Sequence, residues 1–291
     1  MTINATRGSK GTQAATQGEP LPPMAWATCT LVLVCCSTWI IQTMLGVHWH
    51  DPTPDQILSW GGSLAARTLT GEYWRLFTSM FVHFGLMHLL ANMYMLAIAG
   101  PRAERRFGFL GFLAIYFLGG LFGGLLSASW QGANMVKTVP SLTPFGIGHH
   151  EQIMLVVSAG ASAAIMALCS ALLVARQMQG NRQVAARDAE DSGFNKALVQ
   201  VVGINLVMGF LIPGVDQAGH IGGLIAGAFT GAALAGTFDS SPGKRAVRVL
   251  VVMLLGTCAL WIGIRNCDGP QLREVRKQLD DKAHQRSAPN D

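Results

Sequence analysis

Seven long apolar runs constrain this chain more than any other feature. The first, residues 25–46, holds no titratable acid, base or histidine. Read as a helix rising ~1.5 Å per residue, it is long enough for the ~30 Å hydrocarbon core of a bilayer. Further runs lie at about 82–99, 109–127, 153–175, 197–213, 217–236 and 246–264. In lipid the backbone must satisfy its own hydrogen bonds, so runs of this length predict helices. Only 13% of the residues are charged, about half the share usual for a soluble domain. The 34 glycines suit closely packed membrane helices. The expected fold class is therefore all-α, a polytopic membrane helical bundle, with the lipid bilayer as its solvent.

The charge of +5 does not indicate a nucleic-acid partner, because the basic residues cluster beside the spans. Arg102, Arg105 and Arg106 fall between the second and third runs. Arg176, Arg182, Arg187 and Lys196 fall between the fourth and fifth, and Lys244, Arg245 and Arg248 between the sixth and seventh. With Arg7 and Lys10 they share one side, which the positive-inside rule makes cytoplasmic. The organisation read from this is a disordered cytoplasmic tail over 1–24 and a six-helix membrane domain over 25–236. A loop and seventh helix follow over 237–264, then a polar tail over 265–291, placed outside despite six Lys/Arg against five Asp/Glu. The 25–46 run exceeds a signal-peptide core and reads as a retained anchor. The stretch 48–75, with Trp49, Trp60, Arg67, Trp74 and Arg75, reads as a partly helical loop in one leaflet. Of the six cysteines, Cys29, Cys35, Cys36, Cys169 and Cys258 lie in apolar runs and none form C-x-x-C, so no disulfide framework is expected. Short connections and the absence of a transit peptide favour a bacterial plasma membrane.

Few titratable groups remain at depth: His83 near an edge, His88 and His220. Such groups are expensive in lipid and default to functional roles. Asn92 follows His88 by four residues, so both project from one helix face, as donors aimed together or as glue between helices. Ser162 stands in a charge-free run. That run is either one straight helix or a helix starting near Gly160, whose unpaired first N–H groups would lie below the surface and could serve an oxyanion. Small residues recur every four positions after the serine, at Ala163, Ala167, Ala171 and Ala175, and again at Gly219, Gly223, Gly227 and Gly231. Such faces let helix backbones approach closely. If the two stripes pack together, Ser162 and His220 meet at their outer ends. A serine then gains a base, the Ser162 N–H and the His88/Asn92 pair supply donors, and the set makes a proteolytic dyad. Asp216, four residues before His220, is read as a helix cap rather than a third catalytic member.

Over residues 70–235 the chain resembles the rhomboid intramembrane serine proteases. The matches are Gly71-Glu72-Tyr73-Trp74-Arg75, His83 with His88-x-x-x-Asn92, Gly100-Pro101-Arg102-Ala103-Glu104-Arg105-Arg106-Phe107-Gly108, Gly160-Ala161-Ser162 and His220-Ile221-Gly222-Gly223. The resemblance implies a six-helix core plus one C-terminal transmembrane helix, an active site in a watery cavity, and transmembrane proteins as substrates. On matched positions Ser162 is the nucleophile and His220 the base. His88, Asn92 and Gly160 serve the oxyanion and substrate, while Trp74, Arg75, Glu104 and Gly223 are structural. Ala163 replaces the family's usual glycine, and Met166 an aromatic residue. The stretch 128–152 reads as a long loop, and no cofactor and no metal are expected: His149-His150-Glu151 within it lacks the second half of an H-E-x-x-H site. The competing reading is a catalytically silent rhomboid-like protein that binds transmembrane clients. A transporter is disfavoured because the spans hold no carboxylates and no inverted repeat.

Overall fold

The computed structural model describes residues 24–143, 146–179, 188–211, 214–236 and 241–287. The expected tail over 1–24, and with it Arg7 and Lys10, lies almost wholly outside these residues, as do Arg182 and Arg187. The molecule is a helical membrane bundle. Helix α1 (Trp26–Met44) leads into a loop carrying α2 (Pro54–Ser59), β1 (Ser63–Leu64), α3 (Ala65–Thr68) and α4 (Arg75–Thr78). Then come α5 (Gly85–Ala133), a hairpin of β2 (Val136–Thr143) and β3 (Gly146–Ile153), and the short β4 (Val157–Ser158). Helices α6 (Ser162–Gln179), α7 (Asp188–Leu211), α8 (Gln217–Ala235), α9 (Pro242–Cys267) and α10 (Pro270–Ser287) complete the described order.

α5 is two spans rather than one. At Gly108 the backbone takes φ 73° and ψ 170°, a conformation that glycine reaches without a Cβ penalty. This divides it into limbs 85–107 and 109–133. Arg102, Arg105 and Arg106 are therefore on the last turns of a helix, not in an open loop. Counting both limbs and the shorter α6, seven helical segments match the seven apolar runs. Where two readings of 153–175 stood open, the chain breaks: Gly160 has φ 125° and the helix begins at Ser162.

Two stretches outside the apolar runs form secondary structure. The region after 127 is not simply a long loop, since α5 runs to Ala133 and β2 pairs with β3 antiparallel from Val136↔Ile153 to Thr143↔Gly146. Among the described residues the polar tail after 264 is largely helical. α9 continues to Cys267 and α10 turns back onto the loop between α1 and α5, burying Leu272 and Val275 with Ala65, Ala66 and Leu69.

The core is α6 enclosed by α8 and the two limbs of α5, with Leu96, Phe112, Ile115, Tyr116, Ile165 and Leu168 fully buried. α1 is fastened to the first limb by Glu104, whose carboxylate accepts from the N–H groups of Ala27 and Thr28 at 2.9 and 3.0 Å and from the Thr28 hydroxyl at 3.0 Å. Those are orphan donors at a helix start, and a carboxylate there also meets the positive end of the helix dipole. α9 seats on the second limb where Gly256 and Gly263 face Leu118 and Leu125, each glycine meeting one leucine two turns from the next. Among its described side chains α7 leaves many exposed to the surroundings, Ile204 and Phe210 among them.

Candidate active site

Ser162 is the first residue of α6, and His220 lies in the first turn of α8. Their side chains meet, with Ser162 Oγ 2.9 Å from His220 Nε2. His220 is buried and Ser162 half-buried. The helices can stand this close because of the two small-residue stripes, which face each other in register. A Cβ added at Gly223 would drive into the carbonyl oxygen of Ala163; at Gly227 it would meet Ala167, and at Gly231 it would stand 2.6 Å from Ala171 Cα.

The second limb of α5 closes the same packing from another side. The Ala163 methyl points at Gly123 and the Ala167 methyl at Gly119, while Gly222 lies over Gly123. Gly119 and Gly123 share the four-residue spacing of the other stripes, a third small-residue face present in the sequence.

His88 and Asn92 stand over the backbone just before the serine. A Cβ on Gly160 would lie 2.9 Å from His88 Nε2 and 3.7 Å from Asn92 Nδ2. Gly160 therefore has to be glycine twice over, for its φ of 125° and for this approach. The Phe84 N–H donates to His88 Nδ1 at 3.3 Å. With Nδ1 accepting, the neutral ring carries its proton on Nε2 and turns a donor toward the Gly160–Ser162 segment. Asn92 donates to the His88 carbonyl at 3.0 Å, which fixes its amide on the same face. The ring of His83 packs edge-on against that of His88 at 5.3 Å.

Asp216 caps α8, accepting from the Gly219 N–H at 2.9 Å. It also accepts from the Ser127 hydroxyl. It does not reach the imidazole: among the described residues His220 Nδ1 has no hydrogen-bond partner. Ser127 is a node that motif reading missed. Its hydroxyl lies 3.1 Å from that of Ser158, and the Gln131 amide donates to both, at 3.0 and 2.6 Å. The strand entering Ser162 and the helix bearing His220 are thus tied to one residue of α5. The only sequence signal was Ser127-x-x-x-Gln131, two polar residues on one face of an apolar helix.

Trp74 and Arg75 organise the loop between α1 and α5. Arg75 is buried and donates to Glu72 at 2.6 Å and to the carbonyls of Leu58 and Gly62 at 2.7 and 2.9 Å, with its guanidinium 4.4 Å from the exposed Trp74 ring. Glu72 also receives Arg67 and Arg276, each at 3.3 Å. Burial opposes ionisation of Glu72. The Arg75 hydrogen bond and the charges of Arg75, Arg67 and Arg276 outweigh it and hold the carboxyl below its ordinary range. The loop reaches the serine segment in two places: β1 pairs with β4, Ser63↔Ser158 and Leu64↔Val157, and the Gly160 N–H donates to the Ser79 carbonyl at 2.8 Å.

A hydroxyl in hydrogen-bond reach of an imidazole, with donors gathered beside it, is chemically suited to nucleophilic attack on a carbonyl. Comparison with known proteins gives the family. A family model described as Rhomboid domain matches residues 70–237. The chain is 29% identical over 223 residues to the rhomboid protease GluP of Bacillus subtilis, covering 77% of this chain and 38% of that protein. It is 29% identical over 206 residues to the rhomboid protease AarA of Providencia stuartii, covering 69% of each. It is 33% identical over 173 residues to RHOMBOID-like protein 5 of Arabidopsis thaliana, covering 58% of this chain and 47% of that one. The match thus spans less than half the length of the first and third of these relatives.

Proposed function

Because the chain belongs to the rhomboid family, we propose that it is an intramembrane serine endopeptidase that cleaves transmembrane segments of other proteins. The observation carrying this reading is the 2.9 Å approach of Ser162 Oγ to His220 Nε2, beneath donors on His88 and Asn92. Ser162 attacks the scissile carbonyl while His220 Nε2 accepts its proton. The tetrahedral oxyanion is met by the Ser162 N–H, the His88 Nε2–H and the Asn92 amide. His220 then returns the proton to the leaving amine, and water, deprotonated by the same imidazole, releases the acyl group from Ser162. The pair works as a dyad, since Asp216 is engaged by Gly219 and Ser127. In this reading the positive-inside rule, applied to the charges beside the spans, makes the N-terminal side cytoplasmic; Ser162 and His220 then lie toward the outer face, and a substrate helix is cut near its outer end.

The test is cleavage of a fluorescent transmembrane reporter by the full chain in lipid nanodiscs, with fluorophosphonate labelling alongside. Wild-type protein cleaves and is labelled on Ser162; Ser162→Ala and His220→Ala fold and do neither. Undiminished cleavage by Ser162→Ala sinks the dyad. Client binding by wild-type protein with no labelling and no cleavage would establish the silent-relative reading instead.

A further inference from the structure

Beyond its six-helix core the chain adds a seventh span and then α10, and α10 does not stand free. Leu272, Val275 and Leu279 form one apolar edge at helical spacing, and Leu272 and Val275 are buried on α3 and the end of α9. Beside that edge Arg276 donates to the Thr70 carbonyl at 2.8 Å and to Glu72 at 3.3 Å. Asp280 takes Arg67 from the same loop at 3.4 Å. The Thr70 and Glu72 contacts join residues more than 200 positions apart in the chain.

Glu72 is where this contact acquires a consequence. One carboxylate oxygen holds Arg67 and Arg276; the other holds Arg75. Arg75 in turn fixes the carbonyls of Leu58 and Gly62, on either side of the turn that precedes β1. β1 pairs with β4, and Ser79, just past α4, accepts from the Gly160 N–H. A continuous set of bonds therefore runs from α10 through the loop to the residues immediately before Ser162.

We propose that Arg276 is a positioning residue: by completing the Glu72 clamp, α10 holds the α1–α5 loop, and through it the 157–160 segment that sets Ser162 against His220. The proposal rests on the protease reading for its effect on rate, and on geometry alone for its effect on the loop. An ornamental surface helix would add stability without touching turnover. A brace of this kind changes turnover and leaves the affinity for substrate nearly as it was, because Arg276 is remote from the dyad itself.

The experiment uses the full chain in nanodiscs, as wild type, Arg276→Ala, Arg276→Lys and Asp280→Ala, with two readouts: amide hydrogen exchange and steady-state cleavage. A partly buried, charge-assisted bond network of this sort predicts about tenfold faster exchange at Glu72, Arg75 and Gly160 in Arg276→Ala, with the 109–133 limb unchanged. It predicts kcat about tenfold lower and KM within about twofold, with Arg276→Lys recovering most of the loss. Asp280→Ala, at a half-exposed position that pairs with Arg67 and Arg276, shifts both readouts in the same direction by less. Unchanged exchange in Arg276→Ala overturns the brace, whether or not the chain proves to be a protease. Faster exchange with unchanged kcat overturns the positioning role while leaving the protease reading intact. If wild-type protein neither cleaves nor takes the fluorophosphonate, the protease reading fails and the exchange readout alone decides whether α10 braces the loop.

Discussion

Substituting Gly223 by alanine tests whether the stripe contact sets the catalytic geometry or merely holds two helices together. The added Cβ would drive into the Ala163 carbonyl oxygen and lie 2.8 Å from the carbonyl carbon and 3.0 Å from Cα. All three are backbone atoms that cannot rotate away, so α8 and α6 must part. Gly223 is one turn from His220 and Ala163 is next to Ser162, so the displacement falls on the dyad. Real Cβ atoms keep more than 3.0 Å from such neighbours; relieving the clash takes about 1 Å, and a misplacement of that size costs roughly 10²-fold in rate. Starting from 2.9 Å, the serine–histidine contact would be stretched past useful hydrogen-bond length. Overpacking itself should cost about 1–3 kcal/mol of stability. The assay is kcat on the transmembrane reporter, measured on protein shown to be folded by size exclusion and thermal unfolding. Gly227→Ala is the companion, since its Cβ would meet the Ala167 backbone equally hard two turns from His220. It should lose similar stability and much less rate. Gly203→Ala, where the new Cβ meets no packed neighbour within 4 Å, should change neither. Equal rate losses for Gly223→Ala and Gly227→Ala, or a Gly223→Ala enzyme within about twofold of wild type, would refute the geometric reasoning.

Three further outcomes follow from the same structure. Ser127→Ala removes the hydroxyl joining Ser158, Gln131 and Asp216, and should lower both kcat and the rate of fluorophosphonate labelling about tenfold, the worth of one or two hydrogen bonds; unchanged labelling would show that the node does not set the dyad. Glu104→Ala strands the N–H groups of Ala27 and Thr28 and should cost about 1–2 kcal/mol in thermal unfolding, with kcat per folded molecule unchanged. The folded-state pKa of Glu72 is lowered. Its contribution is therefore complete above the ordinary carboxylate pKa of about 4.3 and is lost as pH falls through the lower folded value. Exchange at Glu72 and Arg75 should accelerate on acidification through that window, and Glu72→Gln should flatten the response; a response of the same size in Glu72→Gln would assign it to another group.

Length and spacing made much of this molecule readable in advance. The seven runs mark helices because lipid allows little else, and the alanine and glycine stripes announce their pairing through a shared four-residue period. What escaped was information carried by partners distant in sequence. Leu272, Val275 and Leu279 are too few among charged residues to stand out, so α10 read as a tail. The hairpin over 136–153 interrupts its alternation with prolines and glycines, and read as loop. Glu72 was visible as part of a motif, yet its role depends on Arg276, far along the chain. Ser127 looked like an ordinary serine able to bond its own helix, and only the arrival of β4 and α8 gives it other work.

The position after the serine shows how these levels meet. In lipid there is little hydrophobic force to press helices together, so close approach of small residues has to supply both attraction and precision. Ala163 is gripped from two directions, its methyl against Gly123 and its carbonyl against Gly223. The alanine is accommodated because Gly123 has no side chain to meet its methyl. The backbone next to Ser162 is thereby fixed by two helices, and α8, packed on both, carries His220 to the same place. A larger residue at 163, 123 or 223 would break the same joint from a different side. On this reasoning the alanine is one of three matched surfaces that hold Ser162 still.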